Sequence, residues 1–160
     1  GTSLVPPSIS NEMYIRFHSG PQDSSSSHAR FAFFIEPRRE RCLHELIAPS
    51  GIFTSPGYPN PMPQQTEIFC TWVITVPENQ RVSIKFLDYD LEPSLENTLF
   101  EYKLTFFGGK DILITSLTSN SSWTNLVLDS FTNEMRIHYM ESSISGAHRG
   151  FKAEFSSDKP

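Results

Sequence analysis

Two cysteines, five histidines, several serines and 18 acidic residues are the material for chemistry in this chain. Cys42 and Cys70 lack CxxC spacing and have no histidine cluster beside them, so neither a zinc site nor a thioredoxin-like redox pair is indicated. Two uses stay open for them: one disulfide, or two reduced thiols in a core. Acyl transfer would need a nucleophile, a base and an orienting group brought together. The chain has no nucleophile elbow, no HExxH and no phosphate-cradling glycine loop, so it reads as non-enzymatic. His138 is out of phase with the apolar face that begins at Met135 and reads as a sheet-surface residue; His18 sits comparably upstream. His28, His44 and His148 read as loop or linker residues.

Two spacings point to modification. Arg38 and Arg41 have the R-x-x-R spacing that basic-residue convertases read, because two guanidinium groups on an extended segment can both dock in acidic subsites. Asn120, Ser121 and Ser122 form a glycosylation sequon in a polar loop.

Composition narrows the partners. A formal net charge of -5 supplies no basic field for a polyanion, which argues against nucleic acid. Apolar runs are only a few residues long, against the ~20 needed to cross a bilayer, so no membrane span is expected in this segment and the chain reads as soluble. No basic leader with an apolar stretch precedes Gly1, so a secretion signal is expected upstream, with the numbering starting inside something longer.

The elements that must carry these residues read as short strands. Aromatics are 12% of the chain, with 12 Pro and 8 Gly, and no stretch has a helical period. Apolar alternation marks Trp72, Ile74 and Val76; Val82, Ile84 and Phe86; Met135, Ile137 and Tyr139; and Phe151, Ala153 and Phe155. Breakers separate them: the proline-dense Pro56–Pro63 loop, Pro77–Gln80, and Gly108 with Gly109. The expected fold is all-β, an antiparallel two-sheet sandwich or a barrel.

The chain also repeats itself. Asn11–Phe17 is echoed by Asn133–Tyr139 at an offset of 122, and Phe31 by Phe151 at an offset of 120. Two ordered matches at nearly one spacing indicate a repeating domain of that length, the alternative being two similar hairpins in one fold. Residues 1–36 then read as the C-terminal part of one copy, 37–41 as a polar linker, 42–156 as a complete copy, and 157–160 as the start of a tail or next linker.

These residues resemble the CUB domain, a jelly-roll-like extracellular β-sandwich. The carriers are Cys42; Pro49 through Asn60; Cys70 with Thr71, Trp72, Val73 and Ile74; Arg81 through Phe86 with Asp90, Leu91 and Glu92; and Gly150 through Phe155. The resemblance implies a Cys42–Cys70 disulfide and a location outside the cell, with Trp72 packed in the core near the bridge. It also implies a second disulfide near Thr98 and Ser116 or Leu117, where this chain has no cysteine.

Many members of the family bind a calcium ion, and the matching positions here are Glu92, Glu101 and Ser142. A hydroxyl in place of the last carboxylate removes a charge and a ligand, and Glu101 in place of Asp is one methylene longer, so calcium is weakened as a cofactor. The adjacent Glu141 is a candidate substitute for Ser142, although strand alternation is expected to point it elsewhere.

By resemblance, the expected role is a non-enzymatic interaction module in a tandem-CUB scaffold or endocytic receptor. Its expected partners are extracellular protein ligands and neighbouring CUB domains, with self-association a further class. The alternatives are the regulatory segment of a tolloid-like or complement-like protease and a spermadhesin-like carbohydrate-binding coat protein.

Overall fold

The computed structural model describes residues 38–94 and 103–158, within the second of the two units into which the chain divides, Pro37–Pro160. Nine strands follow in order: β1 Arg38–Ile47, β2 Ser50–Thr54, β3 Thr66–Thr75, β4 Arg81–Asp90, β5 Leu104–Gly108, β6 Ile112–Leu117, β7 Val127–Asp129, β8 Glu134–Ser143 and β9 Gly150–Asp158. They form a five-stranded sheet in the order β1-β3-β8-β5-β6 and a four-stranded sheet in the order β2-β9-β4-β7. All pairings among the described residues are antiparallel except one, since β1 runs parallel to β3.

The expected alternation sets the two inner faces. Trp72 and Ile74 of β3, Met135, Ile137 and Tyr139 of β8, Val82, Ile84 and Phe86 of β4, and Phe151, Ala153 and Phe155 of β9 are all buried. Leu104 and Phe106 of β5 join them. Trp72 is central, with the rings of Phe53, Phe151 and Tyr139 at centroid distances of 5.5, 5.5 and 6.3 Å. Such pairs add to the area term that holds two sheets face to face.

The turns between strands fall where the sequence predicts. Pro56 and Gly57 occupy the centre of a turn that Tyr58 N closes on Ser55 O at 3.3 Å, and Gly57 takes φ 78°, a conformation glycine adopts without penalty. Gln80 N closes on Pro77 O at 3.2 Å. Gly109–Asp111 form a single 3-10 turn between β5 and β6.

Two expectations are corrected. Residues 38–41, expected in a linker, are the start of β1 and pair with Thr66–Phe69. His44, expected in a loop or linker, lies on β1 and stacks on Trp72 at 5.8 Å. Their ladder partner β3 explains both, because a parallel edge strand needs few apolar residues of its own. The sheet edge without a second bridge is held at β5 and β6 by buried Leu117 and by Ser116 Oγ donating to Thr105 Oγ1 at 3.4 Å, while Thr98 lies outside the described residues.

Candidate functional site

The Cys42–Cys70 disulfide forms as the resemblance implied, joining residues directly opposite in the β1–β3 ladder. Cys70 is buried, and Trp72, two residues on, is part of the core. Asn120 is exposed in a turn that Ser121 N closes on Thr118 O at 3.1 Å. Arg41 is exposed, with its guanidinium 5.8 Å from the Phe69 ring centroid, and Arg38 sits at the outer end of the same strand.

The richest polar arrangement lies where the end of β4, the proline-dense loop and the β8–β9 connection meet. A bulge in β4 between Phe86 and Asp88 creates it. The extra residue changes the phase of the strand, so that Tyr89 stays buried while Asp88 and Asp90 turn outward. Arg149 then grips both acids. Its Nε and Nη2 donate to Asp88 Oδ2 and Oδ1, each at 2.7 Å, and its Nη1 donates to Asp90 Oδ2 at 3.0 Å. Tyr58 OH donates to Asp88 Oδ2 at 2.7 Å, and His148 Nδ1 lies 2.8 Å from Asp90 Oδ1. The Arg149 hydrogen bonds hold Asp88 down to about 2. Burial pushes Asp90 up, but the bonds from His148 and Arg149 outweigh it and leave its carboxyl below the usual range. His148 is thus ordered by an acid rather than simply solvated. His138 is exposed on the outer face of β8, as expected, and its ring lies 5.2 Å from that of Phe107. His18 and His28 lie outside the described residues.

Beneath this surface lies a second layer of charge. Glu92, just after β4, is buried and accepts hydrogen bonds from Ser145 N at 3.1 Å and Ser145 Oγ at 2.9 Å, which tie down the β8–β9 connection. The backbone N–H of Glu92 faces the Glu141 carboxylate closely enough to help hold that carboxyl down. Tyr139 OH donates to Glu141 Oε2 at 3.2 Å. Glu141 Oε1 faces Lys103 Nζ at 3.0 Å, as an ion pair rather than an aligned hydrogen bond. Lys103 and Glu141 are 1% and 3% exposed. Burial pushes the Glu141 carboxyl above its ordinary value, and the ammonium only partly offsets it. Burial likewise raises the Tyr139 phenol, which keeps it a proton donor.

The residue that β8 turns toward Glu92 is therefore Glu141. Ser142, expected to complete a calcium set, follows on the opposite face of the strand with Met140 and His138. The phase is set by Met135, Ile137 and Tyr139, which share the face of Glu141. Glu101 lies outside the described residues. Calcium takes six to eight oxygens, several of them anionic. Among the described residues both Glu92 oxygens are committed to Ser145, Ser142 faces away, an ammonium lies against Glu141, and no group of three or more His, Cys, Asp or Glu could hold a metal ion. The described donors do not fit the ion. Sequence reasoning missed Lys103 and Arg149 entirely; the one available signal was Glu141 falling in step with three core residues.

Two sheets in this order, a bridged edge strand and loops cross-tied at one end define a jelly-roll-like β-sandwich module. The chain belongs to the CUB domain family, whose model matches residues 42–155. It is 31% identical to human cubilin over 164 residues, covering 98% of this chain and 4% of that protein. The CUB1-EGF-CUB2 domains of rat MASP-1 superpose with a TM-score of 0.56 at 28% identity, covering 72% of this chain and 42% of that one. The full extracellular region of zebrafish Gpr126/Adgrg6 gives a TM-score of 0.54 at 30% identity, covering 72% of this chain and 14% of that one. The chain thus spans less than half the length of each of these chains.

Proposed function

We propose that this chain is an extracellular, non-catalytic protein-interaction segment of a tandem-CUB scaffold or ligand-binding receptor. In this reading residues 42–156 are one complete domain and 1–36 the end of the one before it. The observation that carries the reading is the likeness to human cubilin. It runs through 98% of the chain, past residue 42 and into the preceding segment, while covering only 4% of that protein. The likeness to an extracellular region supports the location. The ligand-facing surface is the loop end, where Asp88 and Asp90 stay partly exposed and are fixed in place by Arg149 and His148.

The test is the mass and peptide map of the native protein, isolated non-reduced from its source. A very large chain yielding many related CUB-like peptides supports the scaffold or receptor reading. A mid-sized chain with peptides from a catalytic domain overturns it in favour of the regulatory segment of a protease.

A further inference from the structure

We infer that Lys103 is the built-in cation of the loop end, so that this domain orders its Glu92–Ser145 tie without a divalent metal ion. Two carboxylates, Glu92 and Glu141, are buried at one end of the sandwich, with the Glu92 backbone near enough to Glu141 to act on its charge. Two buried carboxylates without a counter-charge would be unstable as anions. Among the described residues Lys103 is the only buried lysine or arginine, and its Nζ is 3.0 Å from Glu141.

The lysine is placed by backbone rather than by chance. Its N–H donates to Leu117 O at 2.8 Å and its C=O accepts from Met140 N at 2.8 Å, which locks it between β6 and β8 immediately before β5. The ammonium neutralises Glu141, beside which the Glu92 backbone N–H lies. The carboxylate of Glu92 in turn holds Ser145. One covalently attached charge thereby supports the β4 exit and the β8–β9 connection together. The inference concerns the architecture of the domain and stands apart from the choice of ligand or parent protein.

The experiment is thermal unfolding of the full chain in EDTA and in 10 mM calcium, with the Ser145 amide followed by NMR. The melting temperature is expected to agree within about 1 °C, since an ion that does not bind cannot stabilise. The Ser145 resonance is expected to stay in place. A calcium site of extracellular strength, with Kd about 10⁻⁴ to 10⁻³ M, would raise the melting temperature by about 6 to 11 °C, and a rise of about 5 °C or more overturns the inference. Lys103→Met is expected to lower the melting temperature by about 12 °C or more, because it strands a buried carboxylate. The double variant Lys103→Met with Glu141→Met is expected to recover most of that loss and the Ser145 resonance with it. If Lys103→Met does not fold, the double variant and the wild-type calcium comparison still decide. A double variant that melts as low as the single one, or a single one that melts like wild type, overturns the role of the pair.

Discussion

Replacing both Cys42 and Cys70 with alanine is expected to cost most of the stability this small sandwich has to spare. The bridge closes a loop with a sequence separation of 28. Chain-entropy arguments give about 12 cal/mol/K for a loop of that size, or about 3.6 kcal/mol at 25 °C. The buried thiol of Cys70 adds up to about 1 kcal/mol through the space that alanine leaves. For a domain of this size 1 kcal/mol corresponds to about 4 °C, so the midpoint should fall by about 14 to 18 °C. The assay is thermal and urea unfolding of the oxidised protein beside the double alanine variant. The urea slope should rise as well, because an unbridged unfolded chain exposes more surface. In hydrogen exchange β1 should open first, since its contribution to the core is limited to the partly buried Cys42 and Leu46. A loss below about 2 kcal/mol, or an unchanged order of opening, would refute the argument that the bridge carries this strand.

The remaining expectations concern the loop end and its surroundings. Arg149→Met should lower stability at neutral pH only modestly, because Arg149 is 43% exposed. Asp88 has a depressed folded-state value, so its contribution is present above about pH 4 and is lost as pH falls toward about 2. The gap between variant and wild type in a pH series should therefore close over that window, and a constant gap would count against the pairing. Gly150→Ala should cost about 3 kcal/mol or more, because φ is +89° and a Cβ there would collide with Ser55 Oγ, which accepts from Phe151 N. Near-wild-type melting of that variant would contradict the packing. Asn120 should carry an N-glycan in secreted material, and peptide N-glycosidase treatment with no mass loss, or a mass unaffected by Asn120→Gln, would show the turn to be bare.

Strand periodicity was readable wherever a strand has one wet face and one dry one. The faces of Trp72, Val82, Met135 and Phe151 were plain because each alternates cleanly against polar neighbours. The edges were less legible. On β6 Ile112 and Leu113 are both exposed, and β7 exposes Val127, so hydropathy there does not track burial. β1 was unreadable for a different reason, since a parallel partner supplies its ladder and its own inward residues are only half-buried. The polar networks depend on tertiary placement. Arg149 meets Asp88 across a sequence separation of 61, and nothing local announces such a meeting. The bulge after Phe86 shifts the phase without any glycine to mark it. Glu141 was legible in principle, because it continues the phase of Tyr139, yet hydropathy assigns a carboxylate to the surface by default.

The parallel pairing of β1 with β3 also determines how the domain bears tension. A pull applied to residues before Arg38 would load the β1 ladder, and only Arg38 through Arg41 lie outside the covalent link. Beyond them the force passes through the Cys42–Cys70 bridge directly into β3, the first interior strand of the larger sheet. The intervening residues form a stretch of chain that stays slack while the bridge holds. In single-molecule extension the oxidised domain should therefore come out shorter than the reduced one by about 10 nm, the fully extended length of a separation of 28 residues.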